Sequence, residues 1–264
     1  SVIINGVSKP VSVNDDGTFS VDVPANTTTF SVSVETTDDD VYEGSESFTL
    51  SGYTESQTSA NEVTGTATIT DDGSVTPPGG TADDDRPSVS TISSPTVSEG
   101  DSATFDVSLS NASTTATTVT LTLAGESATK NVDFNGTSVS VIINGVSKPV
   151  SVNDDGTFSV DVPANTTTFS VSVETTDDDV YEGSESFTLS GKTETQEKAI
   201  TGTGTILDSD NPPKFDNTTD GEYSFSYNEN SSDSTVIGTV TATDPEGKAV
   251  TYSIVSGDTN GWFE

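Results

Sequence analysis

Ser1 to Gly52 recurs letter for letter as Ser140 to Gly191, an offset of 139 residues, and no other feature limits the fold so sharply. A chain carrying one long stretch twice must build the same local structure twice, so an array of modules is expected, not one large domain. The likeness continues more loosely, TGTATITDDG at Thr64–Gly73 being answered by TGTGTILDSD at Thr201–Asp210. Only the second copy shows how a unit begins, with PTVSEGDSATFDVSLSN. Residues 1–72 are therefore expected to be the C-terminal part of a repeat, 73–87 (GSVTPPGGTADDDRP) a Gly/Pro/Asp linker, 88–208 a complete repeat, and 209–264 the first part of a third unit. The first residues carry none of the marks of a signal peptide, and the chain reads as an internal piece of a longer one.

Period-2 alternation supplies the secondary structure. Ala103, Phe105, Val107 and Leu109 share one strand face, as do Phe158, Val160 and Val162, then Phe169, Val171 and Val173, then Phe187 and Leu189, and later Val250, Tyr252 and Ile254. Asn153-Asp154-Asp155-Gly156 is expected to join two such strands as a hairpin. No segment has helical periodicity. Short strands with turn signals at close spacing imply an all-β protein of tandem antiparallel β-sandwiches with immunoglobulin-like architecture. Trp262 is expected in the core of the third unit.

Composition then narrows the chemistry. Asp and Glu number 43 against 8 Lys and Arg, a formal charge of -35, and only 29% of residues are hydrophobic. Such a surface repels nucleic acid and anionic lipid and attracts hard divalent cations. No apolar run approaches the ~20 residues of a membrane span. Cys, His and Met are absent, which excludes thiol nucleophiles, imidazole bases, zinc-type sites and disulfides.

The acids gather where strands end: Glu99 in TVSEGD, Asp133 in NVDF, the run Asp177, Asp178, Asp179 followed by Glu182 and Glu185, and finally Asp208 and Asp210. Adjacent carboxylates repel, so a fold that collects them at one pole needs a counter-ion. Calcium, which takes six to eight oxygens in flexible geometry, suits such a pole better than magnesium does.

TVSEG, VDF, TTDDDVYEGSESFTL and TGTGTILDSD together resemble a Calx-beta repeat, over about residues 90–208 and again over the half-unit at 1–72. The resemblance implies calcium ligation by Glu99, Asp133, Asp177, Asp178, Glu182, Asp208 and Asp210, and in the first copy by Asp38, Asp39, Glu43, Asp71 and Asp72. Glu185 is expected to cap the site or face solvent. The segment IINGVSKPVSVNDDGTFSVDVPANT is an added hairpin, and with it the unit more closely resembles the repeats of bacterial repeats-in-toxin (RTX) biofilm adhesins. The third unit resembles a cadherin-like repeat through DSDNPPKF, YNEN and TATDPEG, which implies interdomain calcium held by Asp208, Asp210, Asn211, Glu229, Asp244 and Glu246.

The expected function is that of a non-enzymatic, calcium-stiffened spacer of a secreted bacterial cell-surface adhesin. Its partners would be calcium ions and neighbouring repeats, while the distal adhesin ligand binds elsewhere. The alternative is a glycan- or protein-binding module of the same kind of surface protein, whose mark would be an exposed aromatic cluster. A glycosidase with paired carboxylates fits less well, because it needs a cleft with one protonated acid. A cytosolic calcium sensor fits poorly with a tandem array.

Overall fold

The computed structural model describes residues 1–57, 61–76, 80–178, 180–218, 221–226, 228–229, 232, 234–236 and 238–253. Pro77, Pro78, Asp179, Tyr227, Asn230, Ile254 and Trp262, all used in the sequence reading, lie outside them. The chain divides into two compact units, Ser1–Asp85 and Arg86–Glu264. No α-helix occurs among the described residues, and no helix there is long and apolar enough to cross a membrane.

The first unit holds β1 (Val2–Ile4), β2 (Val7–Lys9), β3 (Ser31–Val32), β4 (Val41–Tyr42), β5 (Glu46–Gly52) and β6 (Val63–Ile69). β1 pairs with β2 and with β3, and β5 pairs with β6, all antiparallel. The stretch expected as a linker folds back on the end of β6: Asp72 bridges Asp84, the Gly73 N–H donates to the Asp83 carbonyl at 2.6 Å, and the Asp85 N–H to the Asp71 carbonyl at 2.8 Å.

The second unit contains a closed sandwich. Its strands are β7 (Val89–Ile92), β8 (Thr96–Ser98), β9 (Ser102–Leu109), β10 (Ala112–Ser113), β11 (Thr117–Gly125), β12 (Ser138–Ile143), β13 (Val146–Ser151), β14 (Thr157–Val162), β15 (Thr168–Glu174), β16 (Glu185–Thr193) and β17 (Ile200–Leu207). One sheet has the order β14-β11-β16-β17-β8, the other β13-β12-β15-β9-β7. Pairing is antiparallel throughout except that β17 runs parallel to β8. The alternating residues meet between the sheets: Phe105, Val107, Val119, Leu121, Val171, Val173, Phe187 and Leu189 are buried completely or almost so. Such burial of one face by the other is the main stabilisation available to a chain so rich in charge.

The hairpin expected at Asn153–Gly156 is not one. β13 pairs with β12 and β14 with β11, so this turn carries the chain from one sheet to the other. Gly156 is held there at φ +85° against β11, where a Cβ would lie 2.3 Å from the Leu123 carbonyl oxygen. The true hairpin turn is Asn144-Gly145, with φ of 51° and 76°, the double positive-φ geometry that two-residue loops favour.

Beyond the sandwich, β18 (Lys214–Phe215) pairs with β19 (Ala242–Thr243). The expected strand at Val250 and Tyr252 is not formed. Phe215, Tyr223, Phe225 and Tyr252 gather near these strands with ring centroids 5.9 to 6.5 Å apart.

Candidate metal centre

Among the described residues, three groups of carboxylates bring oxygens within 4.8 Å of one another: Glu99 with Asp208 and Asp210, Asp133 with Glu182 and Glu185, and in the first unit Asp38 with Asp83 and Asp85. Each stands where strands stop, and the pairing of the strands decides which acids meet.

The first group depends on the single parallel pair. Leu207 lies opposite Ser98, and the Glu99 N–H donates to the Leu207 carbonyl at 3.0 Å, so Glu99 and Asp208 leave the sheet side by side. Ser209 ties the corner together: its N–H and hydroxyl donate to Glu99 Oε1 at 2.7 and 2.9 Å, and the hydroxyl also reaches Asp177 Oδ1 at 3.3 Å. Gly100, at φ +81°, lets the Asp177 loop come close, since a Cβ there would stand 3.0 Å from Asp177 Cβ. Asp208 Oδ2 accepts the Glu182 and Gly183 N–H groups at 2.5 and 2.6 Å, and its Oδ1 accepts the Asp210 N–H at 2.8 Å. Burial pushes the Asp208 carboxyl up, but these backbone donors outweigh it and hold the carboxyl below its ordinary value.

The second group is anchored by an aromatic stack. Phe134 is fully buried with its ring 4.6 Å from that of Phe187, which fixes the neighbouring Asp133 between β11 and β12. Asp133 is itself buried, accepts the Thr129 N–H at 2.5 Å, and receives the Thr176 N–H on its carbonyl at 2.9 Å. Glu185 begins β16 and faces Asp133. Burial, a hydrogen bond with Asp133 and the charges of Asp133, Glu182 and Asp178 push its carboxyl up to about 7. Glu182 is also raised, by desolvation and then by Asp133, Asp178, Asp208 and Glu99. Carboxylates that hold their protons against one another are a site short of positive charge.

In the first unit Asp71, the counterpart of Asp208, likewise accepts the Glu43 N–H at 2.7 Å. Its other oxygen, Oδ1, is buried with no hydrogen-bond partner, because Gly73 stands in the place of Asp210 and turns its N–H to Asp83. Asp83 is raised by desolvation and by Asp38, and Asp85 by desolvation and by Asp83 and Asp40. Glu43 is raised first by Glu46. An orphaned carboxylate oxygen beside an all-oxygen donor set fits a hard divalent cation, which would neutralise the cluster and cross-link its strands.

Not every expected ligand joins a group. Asp178 Oδ1 accepts the Val180 N–H at 2.8 Å and its counterpart Asp39 the Val41 N–H at 2.9 Å, so each caps its own turn. Asp72 does the same for the Ser74 N–H at 3.0 Å. In the third segment Asn211 Nδ2 donates to Glu246 Oε1 at 2.8 Å, whereas Asp244 Oδ1 accepts the Glu246 and Lys248 N–H groups, each at 3.0 Å. Glu229 is exposed, and Glu229, Asp244 and Glu246 belong to no carboxylate group found among the described residues.

Three members escaped the sequence reading. Glu185, expected as a cap or a solvent-facing residue, lies two residues before Phe187 and so shares its inward face; the period of the strand was the available signal. Asp83 and Asp85 sit in a stretch read as linker, and only the fold-back onto β6 brings them to Asp38.

A Calx-beta domain model matches residues 16–73 and 83–210. No curated protein matches the chain at a significant level. Among solved structures, the apo form of the Calx CBD1 domain is 20% identical with a TM-score of 0.34, covering 46% of this chain and 96% of its own. The calcium binding domain CBD12 of CALX1.1 is 21% identical with a TM-score of 0.33, covering 44% of this chain and 42% of its own. A family 123 glycoside hydrolase from Clostridium perfringens is 13% identical with a TM-score of 0.29, covering 44% of this chain and 22% of its own.

Proposed function

The chain belongs to the Calx-beta domain family, and from that premise we propose that it is a calcium-binding, non-enzymatic spacer: tandem repeats of a large bacterial surface adhesin, secreted to the cell exterior and stiffened there by the ion. The observation that carries the reading is the pair of carboxylate groups at one end of the closed sandwich, Glu99–Asp208–Asp210 and Asp133–Glu182–Glu185, whose crowding raises the proton affinity of Glu182 and Glu185 when no cation balances the charge. Calcium held there would join the start of the repeat (Glu99) to its end (Asp208, Asp210). At that same end the chain passes into the segment resembling a cadherin-like repeat, where Asn211 already binds Glu246. An ion near Asp210 would stiffen this passage, and Pro212 and Pro213 limit its backbone freedom.

Extracellular modules bind calcium with dissociation constants of about 10⁻⁴ to 10⁻³ M, so the spacer would be rigid outside the cell and slack where calcium is scarce. Small-angle scattering of the chain in millimolar calcium should give a longer maximum dimension than in chelator. An unchanged dimension, with binding confirmed by titration calorimetry, would leave a calcium-binding module without the stiffening role.

A second reading, a glycan- or protein-binding module, is favoured by the aromatic group of Phe215, Tyr223, Phe225 and Tyr252, of which Phe215, Phe225 and Tyr252 are about half exposed. Glycan-array binding that is lost in Phe225→Ala would support it.

A further inference from the structure

The stretch after β6 is fastened to the first unit by its backbone and yet charged against it. The Gly73 N–H donates to the Asp83 carbonyl and the Asp85 N–H to the Asp71 carbonyl, with Asp72 opposite Asp84 between them. Gly73 permits the approach: at φ +69° it has no side chain where a Cβ would stand 3.2 Å from Asp84 Cβ. In the complete copy Asp210 takes that place, and its N–H goes to Asp208 Oδ1 at 2.8 Å instead. The fold-back is also separate from the attachment of a repeat's opening strand. Glu99 uses the Leu207 carbonyl and the Ser209 N–H, whose counterparts are Thr70 and Asp72, whereas the fold-back uses Asp71 and Gly73. Alternate residues of an extended chain turn their backbone groups to opposite edges, so the two attachments do not compete.

Closing the fold-back works against its own charges. It brings Asp83 and Asp85 within 4.8 Å of Asp38, where the charges of Asp40 and Asp71 also act on them. It also commits the Gly73 N–H to Asp83, and Asp71 Oδ1 is left buried with no hydrogen-bond partner. A buried acceptor without a donor and a knot of like charges are both relieved by one hard divalent cation. We infer that the fold-back is a cation-gated clasp: with the ion on Asp38, Asp83, Asp85 and Asp71 Oδ1 the chain between Asp72 and Asp84 is tied off, and without it the acids part and release the stretch. The inference rests on the calcium reading and adds to it the residues that gate, Asp83 and Asp85, which lie past the last strand of the first unit. The change in reach is large. Facing Cα atoms of a bridge stand about 5 Å apart, while the same stretch fully extended spans up to about 40 Å, so the ion sets how much free chain precedes Arg86.

The test uses the full chain, whose lack of cysteine allows paired labelling. Hydrogen exchange is followed at the Gly73 and Asp85 amides in millimolar calcium and in chelator. The Glu182 and Gly183 amides, which donate to Asp208, report on the closed sandwich in the same sample. Calcium should slow exchange at Gly73 and Asp85 by about tenfold or more. Spin labels on Ser74→Cys and Ala82→Cys should give one short distance in calcium and a longer, broader distribution in chelator. Asp83→Asn with Asp85→Asn keeps the backbone bonds and removes the charge, so calcium should no longer change either readout, while Glu182 and Gly183 still respond. The clasp is overturned, and the calcium reading stands, if Glu182 and Gly183 respond to calcium but Gly73 and Asp85 do not, if the label distance is unchanged, or if the double variant keeps the full response. No response at any of the four amides overturns both.

Discussion

Residues 1–52 and 140–191 are one sequence in two conditions. In the closed sandwich Thr157–Val162 and Thr168–Glu174 are strands with regular ladders; at 18–23 and 29–35 the same residues keep only Ser31–Val32 as strand. The turns behave differently. Asn5-Gly6 and Asn144-Gly145 both take positive φ, and the Gly17 and Gly156 N–H groups both donate to the asparagine three residues back at 2.9 Å. Turns are set by the residues within them, whereas strands are set by what lies alongside.

This contrast yields paired tests. Phe187→Ala removes a fully buried ring packed on Phe105 and Phe134 and should cost about 3–5 kcal/mol in denaturant unfolding of the sandwich. Phe48→Ala, the same change in the same sequence, should cost under about 1 kcal/mol. Equal costs would show that the first unit is closed in solution.

Calcium comes next in size. At a hundredfold excess over the dissociation constant each independent site should add about 2.7 kcal/mol, visible by scanning calorimetry as a rise of many degrees over chelator. Asp133→Asn with Glu182→Gln should remove the share of that gain held by the Asp133–Glu182–Glu185 group, and Asp178→Asn little, because its carboxylate caps its own turn. Identical melting midpoints with and without the ion would end the calcium assignment.

Glycine supplies a third pair. A Cβ at Gly202 would stand 2.2 Å from the Ser93 carbonyl oxygen, whereas at Gly65 the nearest atom among the described residues is the Leu50 carbonyl oxygen at 3.9 Å. Gly202→Ala should therefore cost about 1–3 kcal/mol, and Gly65→Ala close to nothing. A harmless Gly202→Ala would mean that β17 and the chain after β7 are less closely apposed.

The smallest effect is on pH. Glu185 is raised from 4.5 in the unfolded chain to about 7 in the fold, so between those values the folded state holds a proton that the unfolded state has released. In chelator the sandwich should lose stability as pH rises from about 4.5 to about 7, and Glu185→Gln should flatten that slope. Asp208, being lowered, acts oppositely, its contribution being lost as pH falls through its depressed value. A chelator-state midpoint that climbs through the Glu185 window would contradict its placement against Asp133.

The all-β class, the alternating core positions from Phe105 to Leu189 and the gathering of acids at strand ends are legible along the chain, because a period of two and a run of like charges are local properties. Which acids meet was decided only by tertiary structure. Glu99 reaches Asp208 through a parallel pairing of β8 with β17, which no local pattern encodes, and Asp83 and Asp85 reach Asp38 because the stretch after β6 folds back. The sheet change at Asn153–Gly156 was hidden for the same reason: a turn motif specifies a reversal of the chain, while the ladder that follows belongs to the strand waiting on the other side. The two copies show that limit directly, since identical residues form a core only where β9 and β11 are present to pair with them.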